Sequence, residues 1–246
     1  MKIVLLTFLV SFLASIFSGI AGGGGGFIVT PYLIFAGLSP QQAIATGKMG
    51  GIGVTVGALS AFKGKGLVRK KLLPPLMVIT LVAALFAGWA IPKIDPAIFQ
   101  RIIGGTLLVL IPTLFLKKKA FQPGSRTKKW LGVGYVLYAT LSFAQAMIGT
   151  GLAMLLTMIL MFLFGLTPLE ANATKRVTQA VQAVIVLVLL LVQGFVVFSQ
   201  GIAILLGSLL GSHIGSREAL KRGNRFVKLI LAVVMATSGV ALLFFK

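Results

Sequence analysis

Gly37-Leu-Ser-Pro-Gln-Gln-Ala-Ile-Ala-Thr-Gly-Lys48 and Gly165-Leu-Thr-Pro-Leu-Glu-Ala-Asn-Ala-Thr-Lys-Arg176 are two copies of one pattern, 128 positions apart. At that offset Gly, Leu, Pro, two Ala and Thr are identical, Ser39 pairs with Thr167, and Lys48 pairs with Arg176. The chain thus reads as two repeats, 1–120 and 130–246, joined by a basic linker at 121–129. Each copy also reads as a helix start. Ser39 and Thr167 are N-caps, Pro40 and Pro168 occupy the first helical position, and Gln42 and Glu170 sit where a capping box needs them. That pattern matters for Glu170, which otherwise invites nomination as a proton carrier.

Outward from these motifs, the 246 residues are 58% hydrophobic and only 11% charged, with a mean hydropathy of +1.06. Soluble chains average about 25% charged, so this is an all-α integral membrane protein. Apolar stretches fall at 3–20, 26–37, 40–62, 72–91, 97–116, 131–148, 152–165, 168–196, 200–214 and 226–245. A crossing takes about 20 residues, and the stretches at 26–37 and 152–165 fall short. We therefore expect eight to ten transmembrane or re-entrant helices, about five per repeat. The N-terminal run has the look of a signal peptide, but its counterpart in the second half argues for a retained segment.

Twenty-three Lys and Arg face three acids, for a net charge of +20. The cations cluster between apolar blocks: Lys63 to Lys71, Lys117 to Lys129 and Arg217 to Lys228. That is the mark of cytoplasmic loops rather than of a nucleic-acid surface. The 128-residue offset lays the first basic loop over the uncharged link 191–199, so the two repeats have opposite orientation. Inverted repeats are typical of secondary transporters, with the site at the repeat interface. The absence of cysteine removes disulfides, thiolate metal sites and a Cys nucleophile. A single histidine, His213, has no ligand partners, and the acid–base inventory is too thin for catalysis. We expect no enzyme activity, no metal and no cofactor.

The residues suited to binding lie beside the repeated motif. Gly22, Gly23, Gly24, Gly25 and Gly26 form an unbroken run, and Gly149, Thr150 and Gly151 follow Gln145 in the second half. Each Gly is about 1 kcal/mol worse than Ala in a helix, and broken backbone at membrane depth is tolerated only against protein or a wet cavity. Close helix packing through small residues is the competing reading. Nine residues into each capped helix come Thr46 and Lys48, then Thr174, Lys175 and Arg176. At about 1.5 Å per residue they lie roughly 13 Å deep, where cations default to function; snorkelling to the interface is the alternative. Thr174, Thr178 and Gln182 share one face of the second helix, and Asn172, Arg176 and Gln179 share the next.

With these residues in view, the chain resembles the sulfite exporter TauE/SafE family. The likeness is carried by the Gly22 to Gly26 run, Pro31, and Leu38 to Lys48, with a weaker copy at Leu166 to Arg176. The resemblance implies a permease or exporter in the bacterial inner membrane for sulfite or an organosulfonate. On that reading Lys48 and Arg176 neutralise the anion, while Thr46, Thr174 and Gln145 donate hydrogen bonds. The glycine breaks then supply backbone N–H groups and a gate. The partners are a small sulfur-containing anion and the lipid bilayer, and a homo-oligomer is compatible with these features. A membrane scaffold or assembly protein without transport activity is the alternative, because small-residue helices also serve association.

Overall fold

In the computed structural model, residues 2–98, 128–149 and 152–244 are described, and no strand occurs among them. Among the described residues there are eight α-helical segments of ten residues or more: α1 Lys2–Ala21, α2 Gly26–Phe35, α3 Pro40–Phe62, α4 Leu73–Ala90, α5 Lys128–Ile148, α6 Ala153–Phe162, α7 Pro168–Val192 and α8 Phe198–Phe244. Among the same residues, five segments are long and apolar enough to cross a membrane: Lys2–Ala21, Lys70–Lys93, Leu131–Ile148, Pro168–Val192 and Phe198–Val227. The expected apolar stretch at 97–116 and most of the basic linker lie outside the described residues.

Both capping boxes form. Ser39 accepts from Gln42 N–H and Thr167 from Glu170 N–H, while each N3 side chain reaches back to the cap's own N–H. These caps let α3 and α7 start cleanly after sharp turns. The two short segments, α2 and α6, have 10 residues each. At about 1.5 Å per residue they span roughly 15 Å, half of a bilayer core.

The basic run 217–228, expected as a loop between two spans, holds a break of one residue: α8 is two helices that meet at Gly223 (φ 73°), and the backbone on either side of it is helical. Glu218 bonds Lys221 and Arg222 at 3.2 Å each, three and four residues along the same helix. Pairs at that spacing support a helix.

The halves interlock rather than lying side by side. α4 packs against α5 and α7, whereas α8 packs against α1 and α3. Small residues make these contacts close. On α8, Gly207, Gly211 and Gly215 face the α1 backbone at Phe8, Phe12 and Ile16, and Gly53 and Gly57 of α3 face the α8 backbone at Leu205 and Leu209. Apolar clusters fill the remaining space, one around Ile44, Ala84 and Val186, another around Tyr138, Leu160 and Phe164.

A methyl at Gly211 would fall on the Phe12 carbonyl, whereas one at Gly132 of α5 meets nothing within 4 Å. Gly211→Ala is expected to destabilise the fold by about 1–3 kcal/mol through overpacking. Gly132→Ala is expected to be neutral or stabilising by up to about 1 kcal/mol. Thermal melts of the two purified variants in one detergent check the contrast.

Candidate functional site

The helix breaks decide where charge is placed. α1 ends before a turn at Gly22 (φ 79°), and α5 ends at Gly149 (φ 113°), conformations that L side chains rarely adopt. A helix end leaves its last carbonyls without helical partners and carries partial negative charge, which favours a cation. Each end receives one from the other half. Lys48 Nζ donates to the Ala146 carbonyl at 2.9 Å, and Arg176 Nη2 donates to the Ser18 carbonyl at 2.5 Å. Ser18 and Ala146 are themselves 128 positions apart, as are Lys48 and Arg176. The two bonds are therefore one interaction made twice.

Both cations are buried, at 3% and 2% exposed, and no salt bridge to either occurs among the described residues. They meet at a small cavity lined by Lys48, Gly51, Val54 and Thr55 of α3 and Arg176, Gln179, Gln182 and Ala183 of α7, with Gln145 of α5 completing it. The eight helix residues form four pairs at the 128-residue offset. The space is on the scale of a single water molecule. Gln145 Oε1, buried in this wall, has no hydrogen-bond partner. The guanidinium of Arg176 is oriented by Asn172 Oδ1 at 3.2 Å and Gln179 Oε1 at 3.4 Å, and Asn172 in turn donates to the Gly19 carbonyl at 3.0 Å.

The remaining candidates are placed elsewhere. Thr46 Oγ1 accepts from Val197 N–H at 3.1 Å and Thr174 Oγ1 accepts from Arg69 N–H at 3.0 Å. Residues 69 and 197 again differ by 128, so each threonine pins the link that precedes α4 or α8. Lys175 points away from the cavity and bridges the two breaks. Its Nζ donates to the Gly22 carbonyl, to the Ala153 carbonyl at 2.8 Å and to Thr157 Oγ1 at 2.6 Å. Gly23 lies hard against the Ala153–Met154 backbone and Gly24 is left-handed at φ 97°. Gly25 and Gly26 line a second small space with Ser15, Ser18 and Ser208, and Val54 is common to both spaces. Gly149 stands beside Thr30. Thr150 and Gly151 lie outside the described residues.

Glu170 does two things at once. Its Oε2 accepts from Thr167 N–H at 3.1 Å, and its Oε1 is ion-paired with Arg69. Neither contact leads to the cavity. The polar face of α7 is read correctly in outline, because Gln179 and Gln182 face the cations. Thr178 instead bonds the Tyr138 hydroxyl at 2.8 Å. Gly51 and Thr55 carry no signal of their own. Extending the 128-residue register past Lys48 is what would have found them.

The family model described as sulfite exporter TauE/SafE matches residues 7–242 of this chain. A probable membrane transporter protein YfcA of Escherichia coli strain K12 is 25% identical over 239 residues, covering 96% of this chain and 88% of its own length. A probable membrane transporter protein of Haemophilus influenzae is 24% identical over 230 residues, covering 93% and 90%. A third, ORF9 of a Sinorhizobium species, is 26% identical and covers 96% and 90%. No solved structure matches the chain.

Glu170→Gln retains an oxygen for Thr167 N–H, as Gln42 does in the first copy, and removes only the charge facing Arg69. Because the Arg69 side chain is 55% exposed, the expected loss is at most about 1 kcal/mol. Thr167→Ala, which deletes the cap, is expected to cost about 0.5–2 kcal/mol. Melting curves that rank Glu170→Gln as the more damaging change would contradict this ordering.

Proposed function

This chain belongs to the sulfite exporter TauE/SafE family, and on that premise we propose that it is a secondary transporter whose small sulfur-containing anion sits between Lys48 and Arg176. The observation that carries the reading is the cavity's composition, four residue pairs at one constant offset plus Gln145. A site built from equivalent positions of two repeats lies on the axis that relates them, where inverted-repeat transporters hold substrate. The helix starts at Pro40 and Pro168, and the breaks after α1 and α5, support that repeat. The loop charges support its inversion.

In this arrangement Lys48 and Arg176 offer two positive charges, and Gln145, Gln179, Gln182 and Thr55 offer neutral donors. An oxyanion of sulfur takes several hydrogen bonds at once, and charge-assisted ones are the strong ones. Sulfite or an organosulfonate fits this donor set. The cavity is far smaller than such an anion, so loading requires α3 and α7 to separate. The bonds to the Ala146 and Ser18 carbonyls are the ones an entering anion replaces, since it offers the cations a full charge in place of a helix-end dipole. Releasing the ends of α1 and α5 then frees one side of the protein to rock against the other. The N-terminus of α2, with Gly25 and Gly26 beside the adjoining space, adds a further positive dipole end. Lys175, held by three oxygens of the breaks, fixes their geometry while the cavity opens.

Flux of labelled sulfite, taurine and sulfate into proteoliposomes tests this. Saturable uptake of one of them is expected, and Lys48→Ala and Arg176→Ala are each expected to reduce it at least tenfold, the scale of one lost charge-assisted bond of about 1.5–3 kcal/mol. Undiminished flux in both variants would remove the cations from the site. Glu170→Gln is expected to leave the response to an imposed pH gradient unchanged.

A further inference from the structure

A second and larger cavity, of about 640 Å3, opens beside the first basic loop. Arg69, Lys70 and Lys71 form one wall, while Leu131 of α5 and Phe164 and Leu166 of the α6–α7 link form the other. It shares no lining residue with the Lys48–Arg176 cavity. We propose that it is a binding site for one anionic phospholipid, with the headgroup phosphate on Lys70 and Lys71 and an acyl chain along the half-buried Leu72 and Leu131, above a floor formed by the buried Phe164 and Leu166.

Depth is the first argument. Two segments long and apolar enough to cross a membrane begin at this cavity, Lys70–Lys93 and Leu131–Ile148. Cations at the start of such a segment lie at the level of lipid headgroups. Charge is the second. The Arg69 guanidinium is taken by Glu170, whereas Lys70 and Lys71 are exposed, with no salt bridge recorded to either among the described residues. Basic pockets between membrane helices on the cytoplasmic side are suited to anionic headgroups. Size and lining form the third. The volume lies within the range of about 300–1,000 Å3 typical of ligand pockets, and the half-buried Val68, Leu72 and Leu131 in its lining give nothing to a small hydrated oxyanion but a surface to an acyl chain.

The repeat supplies an internal comparison. At the 128-residue offset, Arg69, Lys70 and Lys71 become Val197, Phe198 and Ser199. The link that precedes α8 therefore lacks the cations that the proposed site needs.

Native mass spectrometry of the full chain in detergent tests the proposal, using phosphatidylglycerol and phosphatidylcholine of identical acyl chains as probes. Retained phosphatidylglycerol is expected to exceed phosphatidylcholine, and to fall on the order of thirtyfold in Lys70→Gln/Lys71→Gln. Lys63→Gln/Lys65→Gln removes the same charge from the same exposed loop without touching the cavity, and is expected to retain lipid as the unaltered chain does. Millimolar inorganic phosphate is expected not to displace it. Equal loss in both double variants would reduce the effect to the general field of the loop. Equal retention of phosphatidylcholine, or displacement by phosphate, would overturn an anionic-lipid site. None of these readouts depends on transport activity.

Discussion

Lys48 and Arg176 are buried in a membrane protein in which no carboxylate answers them among the described residues, and the rest of the architecture follows from how they are satisfied. A charge in low dielectric needs a partner of opposite polarity. Here the partners are the Ala146 and Ser18 carbonyls at helix ends, the latter shared with Gly22 N–H, together with the side-chain oxygens of Asn172 and Gln179 for Arg176. The glycine-rich breaks after α1 and α5 thus do more than permit a bend. They create the negative helix ends that receive the cations. Because each cation comes from the other half, the breaks also oblige the halves to interlock. That in turn requires helices to approach closely enough for Gly207, Gly211 and Gly215 to meet the α1 backbone.

The two copies contribute differently to the cavity they share. The second provides Gln179 and Gln182, and the first places Gly51 and Val54 at those positions. One wall is rich in donors and the other is small. Lys175 has Gly47 as its counterpart, so the second half carries an extra cation, which the breaks absorb through Gly22, Ala153 and Thr157. In the proposed site an anion faces the glutamines of α7 on one side and Gly51 and Val54 of α3 on the other, and Val54 also lines the small space around Gly25, Gly26 and Ser208.

Much of this was legible in the sequence because repetition converts weak signals into strong ones. A single Thr-Gly-Lys in an apolar helix says little, but its recurrence as Thr-Lys-Arg at a fixed offset pointed to two equivalent positions, and Lys48 and Arg176 do line one cavity. The capping boxes were legible because their spacing is local. What escaped was what depends on tertiary partners. Thr46 and Thr174 sit in the repeated motif and read as ligand donors. Their oxygens also accept from the N–H groups of Val197 and Arg69, residues of distant links that nothing local announces. Lys175 and Arg176 are adjacent and read as one pair. A helix turns about 100° per residue, so one faces the cavity and the other the breaks. The basic run at 217–228 read as a link between two spans, and two helices do meet in it at Gly223. What escaped is how short the link is, since Glu218 pairs with Lys221 and Arg222 along continuous helix just before it.

If a single axial cavity holds the anion, then one chain binds one anion, and both cations contribute to the same site. Equilibrium binding of radiolabelled sulfite to the purified protein, read as stoichiometry together with affinity in the unaltered chain, Lys48→Ala, Arg176→Ala and the double variant, tests this most directly. The account predicts one saturable site per chain that either single substitution weakens at least about tenfold, with the double variant binding no more tightly than either. Two independent sites per chain, each sensitive to only one of the cations, would contradict it.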